Sequence, residues 1–490
     1  MSHAARRVLV VGIDGVRLDS LRRLPTPHLD TLAADGFLTP VEVDDDTPTM
    51  SGPCWATIVT GVDVAKHGVW SNDLSGHRLD VFPDFATRLD HHDGRRTFVA
   101  AGWRPLMQPR DGGPLFRAPS GTVHIAPRAD TPEAWEECDE RITEAAARVL
   151  AEDDAEASFV YLGAPDETAH VLGCGEAYET SVRRADARLG RLLAAVRSRR
   201  TYADEEWTYL VVTDHGHVDA GGHGGRSGAE RTAWLAAAGP GIGGAPARVR
   251  HPDVAAQVFA ALGRHPDRHW TLDGRPFAAR PDAVLLDMDG TLVDTESLWL
   301  RTVRETTPGI APDDLFDALG RSTADTAAHL HTLTGTDPAT LAADLAARFL
   351  TAVQREATPL PGALELLRLL QESDLPAALV SASPRPVVDA VRKVLATEGA
   401  DTFRTTIAAG ETARTKPAPD PYLAAARALA VDPAACPAVE DSPTGVAAAE
   451  AAGCRVLAVP SYTPIEAAPR RTVRRGLAGV AKRELWAAGL

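Results

Sequence analysis

Val8-Leu9-Val10-Val11-Gly12-Ile13-Asp14-Gly15, an unbroken apolar run closed by a carboxylate and a glycine, sets the pattern on which this chain is built. Alternating polarity would mark a strand with one wet face, whereas continuity marks a strand covered on both faces, as in a parallel sheet. The carboxylate then falls at the strand's C-terminal edge, where open α/β sheets bind their ligands. Taken alone, Asp14 is equally readable as the cap of a following turn. The pattern returns at Ser158-Phe-Val-Tyr-Leu-Gly163, at Trp207-Thr-Tyr-Leu-Val-Val-Thr213 before Asp214, and at Ala283-Val-Leu-Leu-Asp287.

Composition bounds what such a chain does. Its 490 residues exceed one domain's usual size, and a hydrophobic content of 44% is enough for more than one core. With 67 acidic against 51 basic residues the formal net charge is −16, and no long run of Lys or Arg occurs. Nucleic acid and anionic membrane both need a cationic face, so neither is an expected partner. Cys54, Cys138, Cys174, Cys436 and Cys454 are odd in number, widely spaced and without a C-x-x-C pair, as expected of free thiols in a reducing compartment. The first apolar run contains a Gly and stops at the Asp14 carboxylate, unlike a signal-peptide core, and no run approaches the about 18 apolar residues of a membrane span. The expected location is cytoplasmic.

Residues 47–61, Thr-Pro-Thr-Met-Ser-Gly-Pro-Cys-Trp-Ala-Thr-Ile-Val-Thr-Gly, lead a polar loop into an apolar helix and present the Ser51 hydroxyl at the junction. A helix start offers free N–H groups to phosphate oxygens, which suits a nucleophile; an ordinary Ser N-cap is the other reading. Asn72 follows 21 residues later in Lys66-His-Gly-Val-Trp-Ser-Asn72, by itself a plain turn residue. Asp166 and His170, four apart, share a face of one helical turn and reach one metal ion, although surface pairs have the same spacing. Asp214-His215-Gly216-His217 ends the strand at 213, and the loop Gly221-Gly-His223-Gly-Gly frees a histidine from neighbouring side chains. Asp14, Ser51, Asp166, His170, Asp214, His215 and His223 are about what two metal ions roughly 4 Å apart require. Their mixture of imidazole and carboxylate suits Zn²⁺ or Mn²⁺ better than Mg²⁺ alone. Helices are expected at 132–152, with a solvated charged face, and at 176–199.

The order Asp, Ser-x-Pro, Asp-x-x-x-His, Asp-His-Gly, Gly-x-His resembles the alkaline phosphatase superfamily, in particular its nucleotide pyrophosphatase/phosphodiesterase branch, over most of residues 6 to about 275. The resemblance implies that Ser51 is the nucleophile and shares one metal with Asp14, Asp214 and His215. Asp166, His170 and His223 would hold the other metal, and Asn72 would bind a phosphate oxygen. Two departures stand out. The family often has Thr where this chain has Ser51, and the eight-residue gap from His215 to His223 leaves no room for the insertion that diesterases commonly carry. His217 is therefore a rival to His223, and leaving-group specificity does not carry over.

Residues 263–282, rich in Pro, Arg, His and Gly, read as an ordered connector. Beyond them, Asp287-Met-Asp289-Gly-Thr291-Leu-Val-Asp-Thr-Glu, Leu379-Val-Ser381, Lys416-Pro417 and Val439-Glu440-Asp441-Ser442 follow in the order of the haloacid dehalogenase-like hydrolases, which this part of the chain resembles. The resemblance implies that Asp287 becomes an aspartyl phosphate while Asp289 serves as acid and base. Thr291 and Ser381 would bind phosphate oxygens, and Lys416 would neutralise nucleophile and phosphate. Glu440 and Asp441, with Asp287 and the Asp289 carbonyl, would hold Mg²⁺. The family's dehalogenases lack the acid at 289, so phosphate esters are implied. Residues of about 297–359 resemble the helical cap of the β-phosphoglucomutase-like subgroup. Within them Gly320-Arg321-Ser322 is a candidate substrate contact, a surface Arg being the alternative.

The expectation is an α/β protein of two domains: an alkaline-phosphatase-like α/β/α sandwich at 1–278 and a Rossmann-like haloacid dehalogenase core with a helical cap at 279–465. A tail at 466–490 would form a terminal helix. The first domain would cleave a phosphodiester or pyrophosphate, and the second would dephosphorylate the resulting small monoester. A phosphomonoesterase joined to a sugar phosphomutase, or one catalytically idle domain serving as scaffold, are the alternatives; the oligomeric state is not legible.

Overall fold

The run at residue 8 is a strand, β1 (Ala5–Ile13), at the middle of a seven-stranded sheet. The computed structural model describes residues 5–485 except 111, 247, 265–267, 279, 317–322, 469 and 482–483. Gly320, Arg321 and Ser322 thus lie outside the described residues. Two compact units divide the chain, residues 1–279 and 280–490.

In the first unit β2 (Phe37–Glu42), β3 (Thr97–Ala101), β4 (Gly121–His124), β5 (Ala157–Leu162), β6 (Glu205–Val212) and β7 (Thr232–Ala238) join β1 in the order β2-β7-β6-β1-β5-β3-β4. β1 pairs in parallel with β5 and β6, Val11 lying opposite Val160 and Val211. β7 runs antiparallel to β6, and β2 antiparallel to β7. Leu9, Val11 and Ile13 pack with Ile142 and Leu189 from the helices Pro132–Glu152 and Glu176–Arg197. Trp55, wholly buried, meets Phe159 and Tyr161 of β5 edge-on. Cover on both faces is what the unbroken apolar sequence requires.

The helix Pro132–Glu152 starts on a Thr131 cap, as expected, but its polar face is not simply solvated, because Asp139 is wholly buried. The connector is fastened to this unit: Lys66 Nζ meets Asp273 at 2.6 Å, and Gln257 Oε1 accepts the Phe277 and Ala278 amides.

The second unit holds β8 (Val284–Asp287), β9 (Ala377–Pro384), β10 (Phe403–Ala409), β11 (Pro437–Glu440), β12 (Arg455–Ala458) and β13 (Arg471–Val473), ordered β10-β9-β8-β11-β12-β13. Every neighbouring pair is parallel. The helices Glu296–Thr306, Thr323–Thr334 and Pro338–Glu356 fill the interval between β8 and β9 and contribute Trp299, Leu345 and Phe349 to the core. The described residues between 466 and 485 do not form the expected helical tail. They supply β13, the edge strand of the sheet, and Leu477 is buried in the same core. No helix among the described residues is long and apolar enough to cross a membrane.

Candidate active sites

In the first unit β1, β5 and β6 end side by side, so Asp14, the helix Ala164–Leu172 and Asp214 reach the same edge of the sheet. Asp14 and Asp214 each commit one oxygen to the protein. Asp14 Oδ2 accepts from Trp55 Nε1 (2.9 Å) and Tyr161 OH (2.6 Å), and Asp214 Oδ1 accepts from the Gly15 amide (3.2 Å). The other oxygens, Asp14 Oδ1 and Asp214 Oδ2, are buried without a hydrogen-bond partner. His215 Nδ1–H donates to the Gly216 carbonyl, so Nε2 carries a lone pair. That nitrogen lies 3.1 Å from Asp214 Oδ2, 3.6 Å from Asp14 Oδ1 and 3.5 Å from Ser51 Oγ.

A second group adjoins the first. His223 Nδ1–H donates to the Thr49 carbonyl (2.8 Å), which turns the Nε2 lone pair toward His170 Nε2, 2.9 Å away. Asp166 Oδ2 is 3.3 Å from His170, and Asp166 Oδ1 is 2.8 Å from His217 Nε2. The His223 loop comes this close because Gly221 has φ +85°, and a Cβ there would sit 1.7 Å from the Ala169 carbonyl oxygen. At Gly15 (φ +66°) a Cβ would lie 2.5 Å from His217 Nε2 and 2.6 Å from Asp166 Oδ1, so the glycine makes room for that pair.

Burial, then the charge of Asp166, push Asp14 up to about 7. Burial and Asp14 likewise drive Asp214 well above the carboxylate range, and burial holds His215 well below its ordinary value, hence neutral. Burial would also raise Asp166, but hydrogen bonds from His170 and His217 outweigh it and hold the group well below. Lone pairs converging on buried, unpartnered carboxylate oxygens are electrostatically unfavourable unless a cation stands between them. Asp14, Asp214 and His215 offer donor atoms all within 4.8 Å of one another, as do Asp166, His170 and His223, and this donor set fits two divalent ions. Asp166, His215 and His217 form a third, overlapping group, so His217 lies at the same centre as His223.

Ser51 is the first residue of the helix Ser51–Thr60, not its cap; Met50 occupies that position. Its neighbours do not offer the free amides expected of a helix start. The Gly52 amide donates to Asn72 Oδ1 (2.7 Å), Pro53 has no N–H, and the Cys54 amide donates to Met50 O. Asn72 is thereby fixed beside Ser51, with its NH₂ group left as the donor.

In the second unit Asp287, Ser381 and Glu440 come together from β8, β9 and β11. Lys416 Nζ donates to Asp287 Oδ1 and Glu440 Oε1 at 2.6 Å each and to Val380 O at 3.0 Å. Asp287 Oδ2 and Thr291 Oγ1 are buried without partners. Asp289 accepts from Thr295 Oγ1 (2.7 Å), Ser381 Oγ (2.6 Å) and Ser383 Oγ (3.2 Å). Ser381, expected at a phosphate oxygen, therefore bonds the neighbouring acid here. Burial and Glu440 drive Asp287 well up, and the same two causes raise Asp441 to about 7. Burial alone would lower Lys416, but Asp287 and Glu440 outweigh it and hold the ammonium above its ordinary value. Donor atoms of Asp287, Glu440 and Asp441 lie within 4.8 Å of one another, an all-oxygen set that fits Mg²⁺.

Sequence reading missed the residues behind these groups. Trp55 and Tyr161 orient Asp14, Tyr422 OH donates to Glu440, and Asp139 accepts the Gly163 and Ala164 amides (3.1 and 2.9 Å), holding the start of the helix that carries Asp166. Asp139 had a signal, since it falls on the apolar stripe of Trp135, Cys138, Ile142 and Ala146.

Residues 8–227 match the family description "Type I phosphodiesterase / nucleotide pyrophosphatase", and residues 281–453 match "haloacid dehalogenase-like hydrolase". Hexitol phosphatase A of Escherichia coli K12 is 36% identical over 188 residues, 37% of this chain and 84% of that protein. Protein CbbY of Rhodobacter capsulatus is 34% identical over 37% of this chain and 86% of its own length. Validoxylamine A 7'-phosphate phosphatase of Streptomyces hygroscopicus subsp. limoneus is 34% identical over 34% and 81%. Both families act on phosphate esters and are metal-dependent.

Proposed function

We propose, for a chain whose first domain belongs to the type I phosphodiesterase/nucleotide pyrophosphatase family and whose second belongs to the haloacid dehalogenase-like hydrolases, a bifunctional phosphate-ester hydrolase acting in sequence on small phosphorylated substrates. The first domain opens a phosphodiester or pyrophosphate at Ser51, and the second removes phosphate from the monoester at Asp287. One observation carries this reading: at the C-terminal ends of the strands both domains hold buried carboxylate oxygens without a hydrogen-bond partner among the described residues, Asp14 Oδ1 and Asp214 Oδ2 beside His215 and Ser51 in the first, and the nucleophile Asp287 Oδ2 itself in the second. The relatives named hexitol phosphatase A and validoxylamine A 7'-phosphate phosphatase support a small phosphomonoester for the second step.

In the first domain Asp14, Ser51, Asp214 and His215 would hold one divalent ion, and Asp166, His170 and His223 the other. Zn²⁺ or Mn²⁺ there would supply positive charge that favours the Ser51 alkoxide and offsets charge on the phosphate. Ser51 Oγ attacks phosphorus in line and expels one ester or phosphate oxygen as the leaving group; water then attacks phosphorus of the resulting seryl phosphodiester, frees the Ser51 oxygen and releases the monoester. The Asn72 NH₂, held by the Gly52 amide, donates to a non-bridging oxygen. In the second domain Asp287, Glu440, Asp441 and the Asp289 carbonyl would hold Mg²⁺, which neutralises phosphate charge when bound. Lys416 fixes Asp287 Oδ1 and leaves Oδ2 free to attack, while Thr291 Oγ1 is available to a phosphate oxygen. Asp289, steadied by three hydroxyls, gives its proton to the leaving alcohol and then takes one from the attacking water.

The test assays bis-p-nitrophenyl phosphate and p-nitrophenyl phosphate with the full chain, Ser51→Ala and Asp287→Asn. Diesterase activity lost only in Ser51→Ala and monoesterase activity lost only in Asp287→Asn is the expected result. Monoesterase loss in Ser51→Ala with no diester cleaved by the wild type would overturn the sequential scheme.

A further inference from the structure

Asp287, Asp289 and Lys416 line a cavity of about 140 Å³ together with Glu296, Trp299 and Phe349, none of which has a place in the chemistry above. Glu296 is the first residue of the helix Glu296–Thr306, and its Oε2 is buried without a hydrogen-bond partner. Burial, then the neighbouring carboxyl groups of Asp289, Asp441 and Asp294, push its carboxyl up to about 8, and none of the three hydrogen-bonds Oε2. A desolvated carboxyl oxygen on a cavity wall is unfavourable until something donates to it. Glu296 is not among the donors Asp287, Glu440 and Asp441 that lie within 4.8 Å of one another, so a cation at that group does not require it. Beside it Trp299 and Phe349 meet edge-to-face at 5.1 Å and form an apolar wall. A wall of this kind suits the C–H face of a carbohydrate or alditol, whose hydroxyls supply the missing donors.

We infer that Glu296 is the specificity-determining residue of the second domain, receiving leaving-group hydroxyls and selecting phosphomonoesters of polyhydroxylated alcohols over esters without hydroxyls. The inference rests on the phosphatase reading of that domain. It assigns a residue and a leaving-group chemistry that the reading itself does not contain.

The test uses the full chain in a Ser51→Ala background with Mg²⁺, and measures kcat/KM for a hexitol monophosphate and for p-nitrophenyl phosphate, which offers no hydroxyl. Replacing Glu296 by Leu is expected to lower the ratio of the two by about tenfold or more, mainly through KM of the hexitol ester. Glu296→Gln, whose amide still bonds hydroxyls, should hold the ratio within about threefold of the parent. An unchanged ratio in Glu296→Leu overturns the inference, and so does an equal loss on both esters, which would make Glu296 a support of Asp289. A tenfold rise in the Mg²⁺ concentration needed for half-activity, at constant ratio, would make it a cation ligand instead. If the parent cleaves neither monoester, the phosphatase reading itself falls.

Discussion

At the first centre every ion pair of Asp14, Asp166 and Asp214 among the described residues is with a histidine, whereas at the second Asp287 and Glu440 share the Lys416 ammonium at 2.6 Å each. Both centres bury carboxylates at the ends of parallel strands, and burial alone favours the protonated acids. His215 and His223 are held below their ordinary values by burial, while the hydrogen bond to Asp166 raises His170, so the positive charge the first centre can supply itself is a titratable imidazole rather than a fixed ammonium. The second carries one in its sequence. A phosphate-ester site is thus reached by two routes, one that imports nearly all its cationic charge and one that imports part of it.

Asp214→Asn tests that contrast with the largest effect. Removing one anchored carboxylate is expected to lower diesterase activity about a thousandfold, with less metal retained, while monoesterase activity and its Mg²⁺ dependence stay as they were. Comparable loss of both activities would break the contrast. Lys416→Met comes next, because it leaves Asp287 and Glu440 buried without their cation. A loss of about 3–5 kcal/mol in the urea unfolding of the second domain is expected, and excess Mg²⁺ should restore only part of it. Full restoration would mean that the second centre also lives on imported charge.

Smaller effects sharpen the picture. His217 Nε2 holds Asp166 Oδ1 at 2.8 Å, so His217→Phe should weaken metal retention about 10–100-fold in a chelator competition, with Gln in its place recovering most of it. No change would make His217 mere packing. The smallest expected effect is a slope. Burial raises Asp139 to about 7, above its unfolded value of about 3.9, so its contribution to stability is complete below pH 4 and is lost as pH rises through 7. Asp139→Asn should flatten the fall in first-domain stability between about pH 4 and 7, and an unchanged slope would assign the fall to other groups.

Much of this was legible because the chemistry sits where strands stop. Val8 to Ile13 and Ala283 to Leu286 could only be covered strands, and the carboxylates closing them had to lie at a sheet edge. The supports were not legible, since they come from far along the chain: Tyr161 reaches Asp14 across 147 residues, and Lys416 reaches Asp287 across 129. The amides after Ser51 were misjudged for a local reason, because Asn72 returns to claim the one at Gly52. Glu296 gave no signal, being one acid in an acidic motif until the cavity set it apart. The end of the chain misled because its arginines and scattered apolar residues hid a three-residue strand.

That strand has a consequence for how the second half could ever live alone. The Val456 amide donates to Arg470 O and the Arg474 amide to Ala458 O, so the stretch around β13 stitches the outer margin of β12 closed. Ending the polypeptide at residue 465 would leave β12 with a bare row of donors and acceptors, ready to recruit the same row from another molecule. The short last strand thus acts as a guard against fibrous self-association, and shortening the chain there would show first as turbidity rather than as lost catalysis.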